Sequence, residues 1–191
     1  LMTSIVNFYA TAFNWAKPGE IIVDGYSFNS LKKAAKKIKN HSTVIIGPGE
    51  YNEALYVGAD NVRIEGEGKV IIYNATIQGK GAIVIEGNDA YVSGIECYGI
   101  RVKDGNGACI RFQARNLTVE NVYFHDSQQG ILAAGQLGTV NIFNSKFERL
   151  GAGEGQAHGI YIGDANLLYI KNSMFLASKD EGNEVKTRAK K

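Results

Sequence analysis

The feature that most limits the fold of this chain is an internal repeat of corner residues. Gly66, Gly94, Asn121, Asn144 and Asn172 follow one another at intervals of 28, 27, 23 and 28 residues. Each lies between short runs in which apolar residues alternate with other types, the pattern of a strand with one buried face. Repeats of about 20–50 residues built from such units predict coils of parallel strands stacked along one axis.

A second set of positions recurs at comparable intervals and marks where the first strand of each coil begins. These starts are Leu55, Ile83, Ile110, Ile131, Ile160 and Val185. Equivalent residues of neighbouring coils should lie about 4.8 Å apart. The segment Ile160–Phe175 shows a whole unit, with a first strand, a break, a second strand, the corner Asn172 and a short third strand.

Three columns of side chains test this alignment. The residues one and three positions after each corner should be buried, and the residue two positions after it should face outwards. The buried columns are predicted as Ile95, Val122, Ser145, Ser173 and Cys97, Phe124, Phe147, Phe175, and the outward column as Glu96, Tyr123, Lys146, Met174. Asparagine and glycine tolerate left-handed backbone, so we expect it at all five corners, with the asparagine amides bonded along the stack.

These motifs resemble those of a known family, the right-handed parallel β-helix proteins of the pectate-lyase-like superfamily. The resemblance rests on the asparagine ladder, on VNIFNSKF at Val140–Phe147, on LYIKNSMF at Leu168–Phe175 and on VIIGPGEY at Val44–Tyr51. It implies an all-β, right-handed parallel β-helix solenoid with a short N-terminal capping α-helix. A β-sandwich, the other interpretation of the apolar pattern, gives no reason for a registered ladder.

Composition is that of one ordinary domain. The 191 residues are 45% hydrophobic and 21% charged, with a net charge of +2. This balance excludes a general attraction to nucleic acid, and we expect the lysine run within residues 32–39 to be the solvated face of a helix. The two cysteines, Cys97 and Cys109, are expected to be buried free thiols.

The chain divides into an N-terminal arm (1–27), a capping helix (28–40) and β-helix coils (43–191). The arm has aromatic residues with no clear period and is expected to pack on the first coil or on a partner. Asn29 or Ser30 should cap a helix over Leu31–Lys39, whose apolar residues share one face. Such a helix would cover the strand edges and bare core that a solenoid otherwise exposes at its end.

No equivalent cap is predicted after Val185–Lys191, so we expect further coils, a second copy of the chain or another chain to cover that end. The sequence contains no membrane span and no recognisable secretory signal. We expect an extracellular, cell-surface or virion protein, and the missing signal then implies that a targeting segment has been removed or that the protein is exported by a different route.

The first-strand face carries the candidate site. Two outward columns are predicted, Tyr56, Val84, Arg111, Leu132, Tyr161, Lys186 and Gly58, Glu86, Gln113, Ala134, Gly163, Arg188, and Gln129, His158 and Asn183 precede successive strand starts. His158, Tyr161, Lys186 and Arg188 should therefore meet as one surface cluster. We predict these four as catalytic residues and Tyr56, Arg111, Gln113, Gln129 and Asn183 as substrate-binding residues.

A histidine, a tyrosine, a lysine and an arginine on one face suit proton abstraction beside a carboxylate. The resemblance points the same way, because many β-helix relatives are lyases or epimerases of acidic polysaccharides. The sequence therefore favours a protein that binds, and in an active form cleaves by β-elimination or epimerises, an acidic polysaccharide. The alternative is a non-catalytic structural or adhesive module, such as part of a virion tail spike or a surface appendage.

No cofactor is predicted. Calcium assists several relatives, and Asp126, Glu154 and Asp164 offer oxygen ligands near the corners of the coils. The chain has no ligand spacing of the EF-hand type. We therefore name no metal ligands.

Overall fold

A parallel stack of coils forms the body of the molecule in a computed structural model, which describes residues 15–152, 157–180 and 182–191. In chain order the elements are β1 Ile21–Val23, β2 Tyr26–Phe28, α1 Leu31–Ala35, β3 Thr43–Ile46, β4 Gly49–Tyr51, β5 Leu55–Val57, β6 Arg63–Tyr73, β7 Gly81–Ile85, β8 Ala90–Tyr98, β9 Ala108–Phe112, β10 Leu117–Glu120, β11 Tyr123–His125, β12 Gln129–Phe143, β13 Lys146–Glu148, β14 Ile160–Lys171, β15 Met174–Leu176 and β16 Val185–Thr187.

The strands form three faces that run the length of the stack. The first-strand face consists of β5, β7, β9, the starts of β12 and β14, and β16. The second-strand face consists of β3, the starts of β6 and β8, β10, and the ends of β12 and β14. The third-strand face consists of β4, the ends of β6 and β8, β11, β13 and β15.

The predicted register is confirmed. The six strand starts pair in sequence through the parallel ladders, so Leu55 aligns with Ile83 and Ile160 with Val185. Phe124 and Phe147 are buried. The ring of Phe147 stacks on that of Phe175 with centroids 4.8 Å apart. The core therefore lies inside the coils, as the column pattern indicates.

Left-handed backbone occurs at four of the five corners. Gly94, Asn121, Asn144 and Asn172 have φ between 50° and 68°. The expectation is wrong at Gly66, because β6 carries extra residues before its register with β8 resumes, and positive φ falls on Gly68 instead. Glycine is still required at position 66, since an added Cβ would collide with the carbonyl oxygen of Gly94.

The asparagine amides bond along only part of the stack. The Asn172 amide donates to Oδ1 of Asn144 at 3.3 Å, but the Asn144 amide donates to the Glu120 carboxylate rather than to Asn121. The amide ladder that we expected therefore joins Asn172 to Asn144 but is interrupted between Asn144 and Asn121.

The arm contains regular structure that the sequence pattern did not suggest. Strands β1 and β2 form an antiparallel hairpin, and β1 also pairs with β3. The turn is Asp24–Gly25, with positive φ at both residues, as the common two-residue hairpin turn requires. All three residues of β1 are buried, so the strand shows no alternation. Residues 1–14 of the predicted arm lie outside the described part of the chain.

The capping helix is present but shorter than predicted. Ser30 is the N-cap and accepts a hydrogen bond from the Lys33 backbone, and Leu31 and Ala34 are buried. After Ala35 the backbone bonds tighten to i→i−3, as in the Lys37 N–H to Ala34 carbonyl bond of 2.9 Å. The α-helix therefore ends before Lys39.

The prediction of free thiols is wrong. Cys97 and Cys109 form a disulfide, with their Cα atoms 5.9 Å apart. Cys97 lies in the third strand of one coil and Cys109 lies in the first strand of the next, so the two side chains meet across the core. Both were correctly expected to be buried.

The apolar columns are less well covered in the last coil. Leu168, Ile170 and Phe175 are only partly buried, and Tyr169 and Met174 are 48% and 56% exposed. The predicted covering of this end by further coils or another chain stays a prediction.

Candidate functional site

A cleft of about 310 Å³ lies on the first-strand face near its C-terminal end. The residues that line it come from the loop between β8 and β9, from β9, and from the beginnings of the next three first strands. They are Asp104, Asn106, Arg111, Gln129, Leu132, His158, Tyr161 and Lys186. Five of these eight were predicted as site residues.

The parallel register brings most of these side chains together. Arg111 aligns with Leu132, Leu132 with Tyr161, and Tyr161 with Lys186. Side chains at equivalent positions of a parallel ladder stack about 4.8 Å apart, so residues far apart in sequence share one wall. The Lys186 ammonium lies 5.7 Å from the centre of the Tyr161 ring.

His158 lies at the inner side of the cleft. Its side chain is 6.2 Å from the Tyr161 ring, measured between centroids, and its Nδ1 accepts a hydrogen bond of 3.1 Å from the backbone N–H of Asn183. The residue is only 2% exposed, so the prediction that it lies on the surface is wrong. Burial, together with the nearby Lys186 charge, lowers the pKa of His158 from its ordinary value.

Two buried polar atoms in the cleft have no hydrogen-bond partner within the described part of the chain. One is Nε of Arg111, a donor, and the other is Oε1 of Gln129, an acceptor. Burial also lowers the pKa of Arg111. Buried polar groups in native proteins are almost always bonded, and leaving one unsatisfied costs about 1–3 kcal/mol. The pair therefore marks a surface suited to a polar ligand.

Four predicted site residues do not line the cleft. Arg188 follows β16 and lies further along the first-strand face, where its backbone N–H donates to the Ile162 carbonyl. Asn183 donates its backbone N–H to His158. The remaining two belong to coils nearer the N-terminus. Tyr56 donates to Glu86 at 2.9 Å, and Gln113 accepts from Lys80 at 2.7 Å.

Asp104 and Asn106 were missed by sequence reasoning. They lie on a loop between β8 and β9 that has no strand periodicity. The Gln128 side chain holds this loop by accepting from the backbone N–H groups of Val102 and Gly107 at 2.8 and 2.7 Å. The available signal was the polar, glycine-rich insertion RVKDGNG, which stands where other coils have a shorter turn.

A second charged cluster lies on the third-strand face, and its groups are paired. Arg149 donates to Asp126 at 2.7 Å, and Lys179 lies 3.2 Å from the same carboxylate. These contacts, chiefly the Arg149 hydrogen bonds, hold the pKa of Asp126 far below its usual range. Glu148 accepts from Tyr123 at 2.6 Å and pairs with Lys146. We call this set of Tyr123, Asp126, Lys146, Glu148, Arg149 and Lys179 the third-strand network.

The described residues contain no group of three or more His, Cys, Asp or Glu side chains placed to hold a metal ion. Of the three carboxylates noted in the sequence as possible sources of oxygen ligands, Asp126 is bonded to Arg149, Asp164 is exposed on another corner, and Glu154 lies outside the described residues. Within the same ranges, no helix is long and apolar enough to cross a membrane.

Comparison with known proteins places the fold. A family model described as "Right handed beta helix region" matches residues 23–190. A solved structure of a pectin methylesterase mutant in complex with a hexasaccharide superposes with a TM-score of 0.57 at 17% identity. The match covers 81% of this chain and 52% of that one, so this chain spans about half the length of its structural neighbour. No curated protein matches the sequence.

Proposed function

This chain belongs to the right-handed β-helix family, and from that premise we propose that it is a carbohydrate-active protein that binds an acidic polysaccharide on its first-strand face. The observation that carries the proposal is the pair of unsatisfied buried atoms in one cleft, Nε of Arg111 and Oε1 of Gln129. A sugar acid carries groups that match both atoms, since a carboxylate accepts from an arginine and hydroxyls donate to a glutamine oxygen.

Charge in the cleft favours an anionic sugar. Arg111 and Lys186 are cations there and Asp104 is the one carboxylate among the described lining residues, so these residues carry a net positive charge. Arg188 adds a further cation on the same face. A coil spacing of about 4.8 Å also gives a row of side chains at a pitch comparable to that of sugar units. The likeness to a pectin methylesterase fold, solved with a hexasaccharide, is consistent with this substrate class.

The cleft contains the groups that β-elimination or C5 epimerisation requires. A base removes the C5 proton of a uronate, and the electron pair moves into the carboxylate, which Arg111 and Lys186 stabilise. In elimination the C4–O4 bond then breaks, a C4=C5 double bond forms, and the leaving oxygen takes up a proton. In epimerisation the proton returns to the opposite face of C5. We therefore propose the polysaccharide lyase or uronate epimerase class for an active form.

The disulfide supports an extracellular or cell-surface setting. Cys97 and Cys109 are joined, and disulfides persist mainly in oxidising compartments. A thiol titration of unfolded protein purified without reductant should find no free thiol. Two free thiols in that protein would argue against this location.

The structural or adhesive module remains a second candidate because of the last coil. Exposed Tyr169, Met174 and Leu176 there could contact another chain. Light scattering tests this second candidate through the oligomeric state of the protein. A defined oligomer that dissociates in the Met174→Lys variant favours the module, whereas a monomer removes this support.

The test of the proposed function is a screen of galacturonate, mannuronate and glucuronate polymers against a neutral glucan. We expect calorimetric binding to one of the acidic polymers and, for a lyase, a growing ultraviolet absorbance from unsaturated product. Lys186→Ala should weaken binding about tenfold or more, as expected when a charged hydrogen-bond partner is lost. Lys171→Ala, an exposed lysine on the second-strand face, is the matched control and should bind as the wild type does. Equal binding of acidic and neutral polymers would contradict the proposal.

A further inference from the structure

The hydrogen bond that fixes His158 decides which of its nitrogens carries the proton. The backbone N–H of Asn183 points at Nδ1 from 3.1 Å, and a backbone N–H can only donate. Nδ1 must therefore be the unprotonated nitrogen of the ring. In a neutral imidazole the single proton then resides on Nε2.

The surroundings keep the ring neutral. His158 is almost completely buried, with Lys186 on the following first strand close enough to disfavour a second positive charge. The other charged or titratable groups that line the same cleft are Asp104, Arg111 and Tyr161. A buried imidazolium would gain a proton on Nδ1 and would lose the Asn183 hydrogen bond. The neutral Nε2–H form satisfies both constraints.

From this geometry we propose that His158 is a fixed Nε2–H donor to an oxygen of a bound uronate, and that the base of the site is Tyr161. The inference rests on the proposed function for its ligand, but the tautomer rests on the Asn183 contact alone. A nitrogen that already carries its proton cannot abstract another. The sequence-based prediction of His158 as a catalytic residue is thereby narrowed to hydrogen-bond donation.

The donor completes a polar lining that spans successive coils. Arg111 offers Nε–H from β9 and Gln129 offers Oε1 from the start of β12. His158, which lines the same cleft just before β14, offers Nε2–H. Two donors and one acceptor along a cleft match an acidic sugar with its carboxylate and hydroxyl oxygens. Donation from His158 strengthens as negative charge builds on that carboxylate during proton abstraction.

The tautomer can be tested without any ligand. In long-range ¹H–¹⁵N NMR spectra of the histidine-labelled protein at pH 7, His158 should show the Nε2–H pattern, and His158→Gln assigns its signals. The protein has three histidines, so the spectrum is simple. An Nδ1–H pattern, or an imidazolium at pH 7, would overturn the proposal. This outcome does not depend on whether the protein binds polysaccharide.

The donor role is tested by measuring how two substitutions of His158 change the binding of two uronate hexasaccharides. His158→Gln keeps an acceptor for the Asn183 N–H and an amide donor for the ligand, whereas His158→Phe keeps a ring without either. The ligands are galacturonate and mannuronate hexasaccharides. We expect the affinity of His158→Gln to stay within about threefold of the wild-type value and that of His158→Phe to fall about tenfold or more. His41→Asn, at an exposed site, is the control.

Each binding outcome decides a different statement. Full affinity in a folded His158→Phe variant would overturn the donor role. Binding of neither hexasaccharide by the wild type would overturn the uronate assignment together with the proposed function, while the NMR result would still report the tautomer. If His158→Phe does not fold, the wild-type NMR pattern supports or overturns the tautomer, and the affinity of His158→Gln supports or overturns the donor role.

Discussion

The first-strand cleft and the third-strand network differ in how their charged groups are satisfied. In the network, Asp126 accepts from Arg149 and lies beside Lys179, and Glu148 accepts from Tyr123. In the cleft, Nε of Arg111 and Oε1 of Gln129 are buried without a partner among the described residues. Both clusters lie on outward faces of the same solenoid.

This difference separates structural charge from functional charge. Groups that satisfy one another lower the free energy of the folded state and leave nothing for a ligand. Groups that are buried and unsatisfied destabilise the fold until a ligand bonds to them. The cationic groups of the cleft are therefore the better candidates for recognition, although the network holds more of them.

The largest expected effect comes from the core that supports both regions. Phe147 lies in β13, the strand of the network, and is packed close to the backbone of Gly130 beneath the first-strand face. Phe147→Ala should lower the free energy of unfolding by about 3–5 kcal/mol, as other buried large-to-small changes do. Denaturant unfolding measures this change. A loss below about 1 kcal/mol would argue against the buried column.

The next effect separates the two regions directly. Arg111→Met removes the unpaired donor and should weaken uronate binding about tenfold or more. Its free energy of unfolding should stay equal or rise, because an unsatisfied buried group is lost. Arg115→Met, at an exposed arginine on the corner after β9, is the matched control for both measurements. A clear loss of stability in Arg111→Met would show that the side chain has a structural partner.

Asp126→Asn should have the opposite effects to Arg111→Met, with a small loss of stability and no loss of uronate affinity. The carboxylate is 36% exposed and screened by solvent, so its loss should lower the free energy of unfolding by only about 1 kcal/mol. Uronate affinity should not change. Reduced affinity in this variant would place ligand contacts on the third-strand face and remove the contrast between the two regions.

The smallest effect is a difference in acid sensitivity. Lys146 and Tyr123 lower the pKa of Glu148 to about 2, and Arg149 lowers that of Asp126 further still. Folded-state pKa values below the unfolded values mean that this stabilisation is present above about pH 4 and is lost as pH falls through the folded values. Wild-type protein should therefore lose more stability between pH 5 and pH 2 than Asp126→Asn does. Parallel pH profiles for the two proteins would contradict the paired network.

The fold was predictable because it repeats. A period of two fixes which side chains face the core, and a slip of one residue would turn every one of them outwards. The corner positions therefore determined the register, and the register determined that Arg111, Tyr161 and Lys186 share one wall. The Asp24–Gly25 turn was also present as a local signal, but the uniformly buried β1 beside it gave no alternation to confirm a strand.

The tertiary structure decided what periodicity does not encode. The pairing of Cys97 with Cys109 depends on two strands facing each other across the core, and two cysteines alone do not specify that contact. The approach of Asp104 to the cleft depends on the closure of an irregular loop. The burial of His158, its bond to the Asn183 backbone and the orphaned atom of Arg111 depend on side-chain rotamers and packing at a strand's edge. A one-dimensional pattern determines which residues are neighbours, but only the packed structure determines which polar atoms are left without a partner.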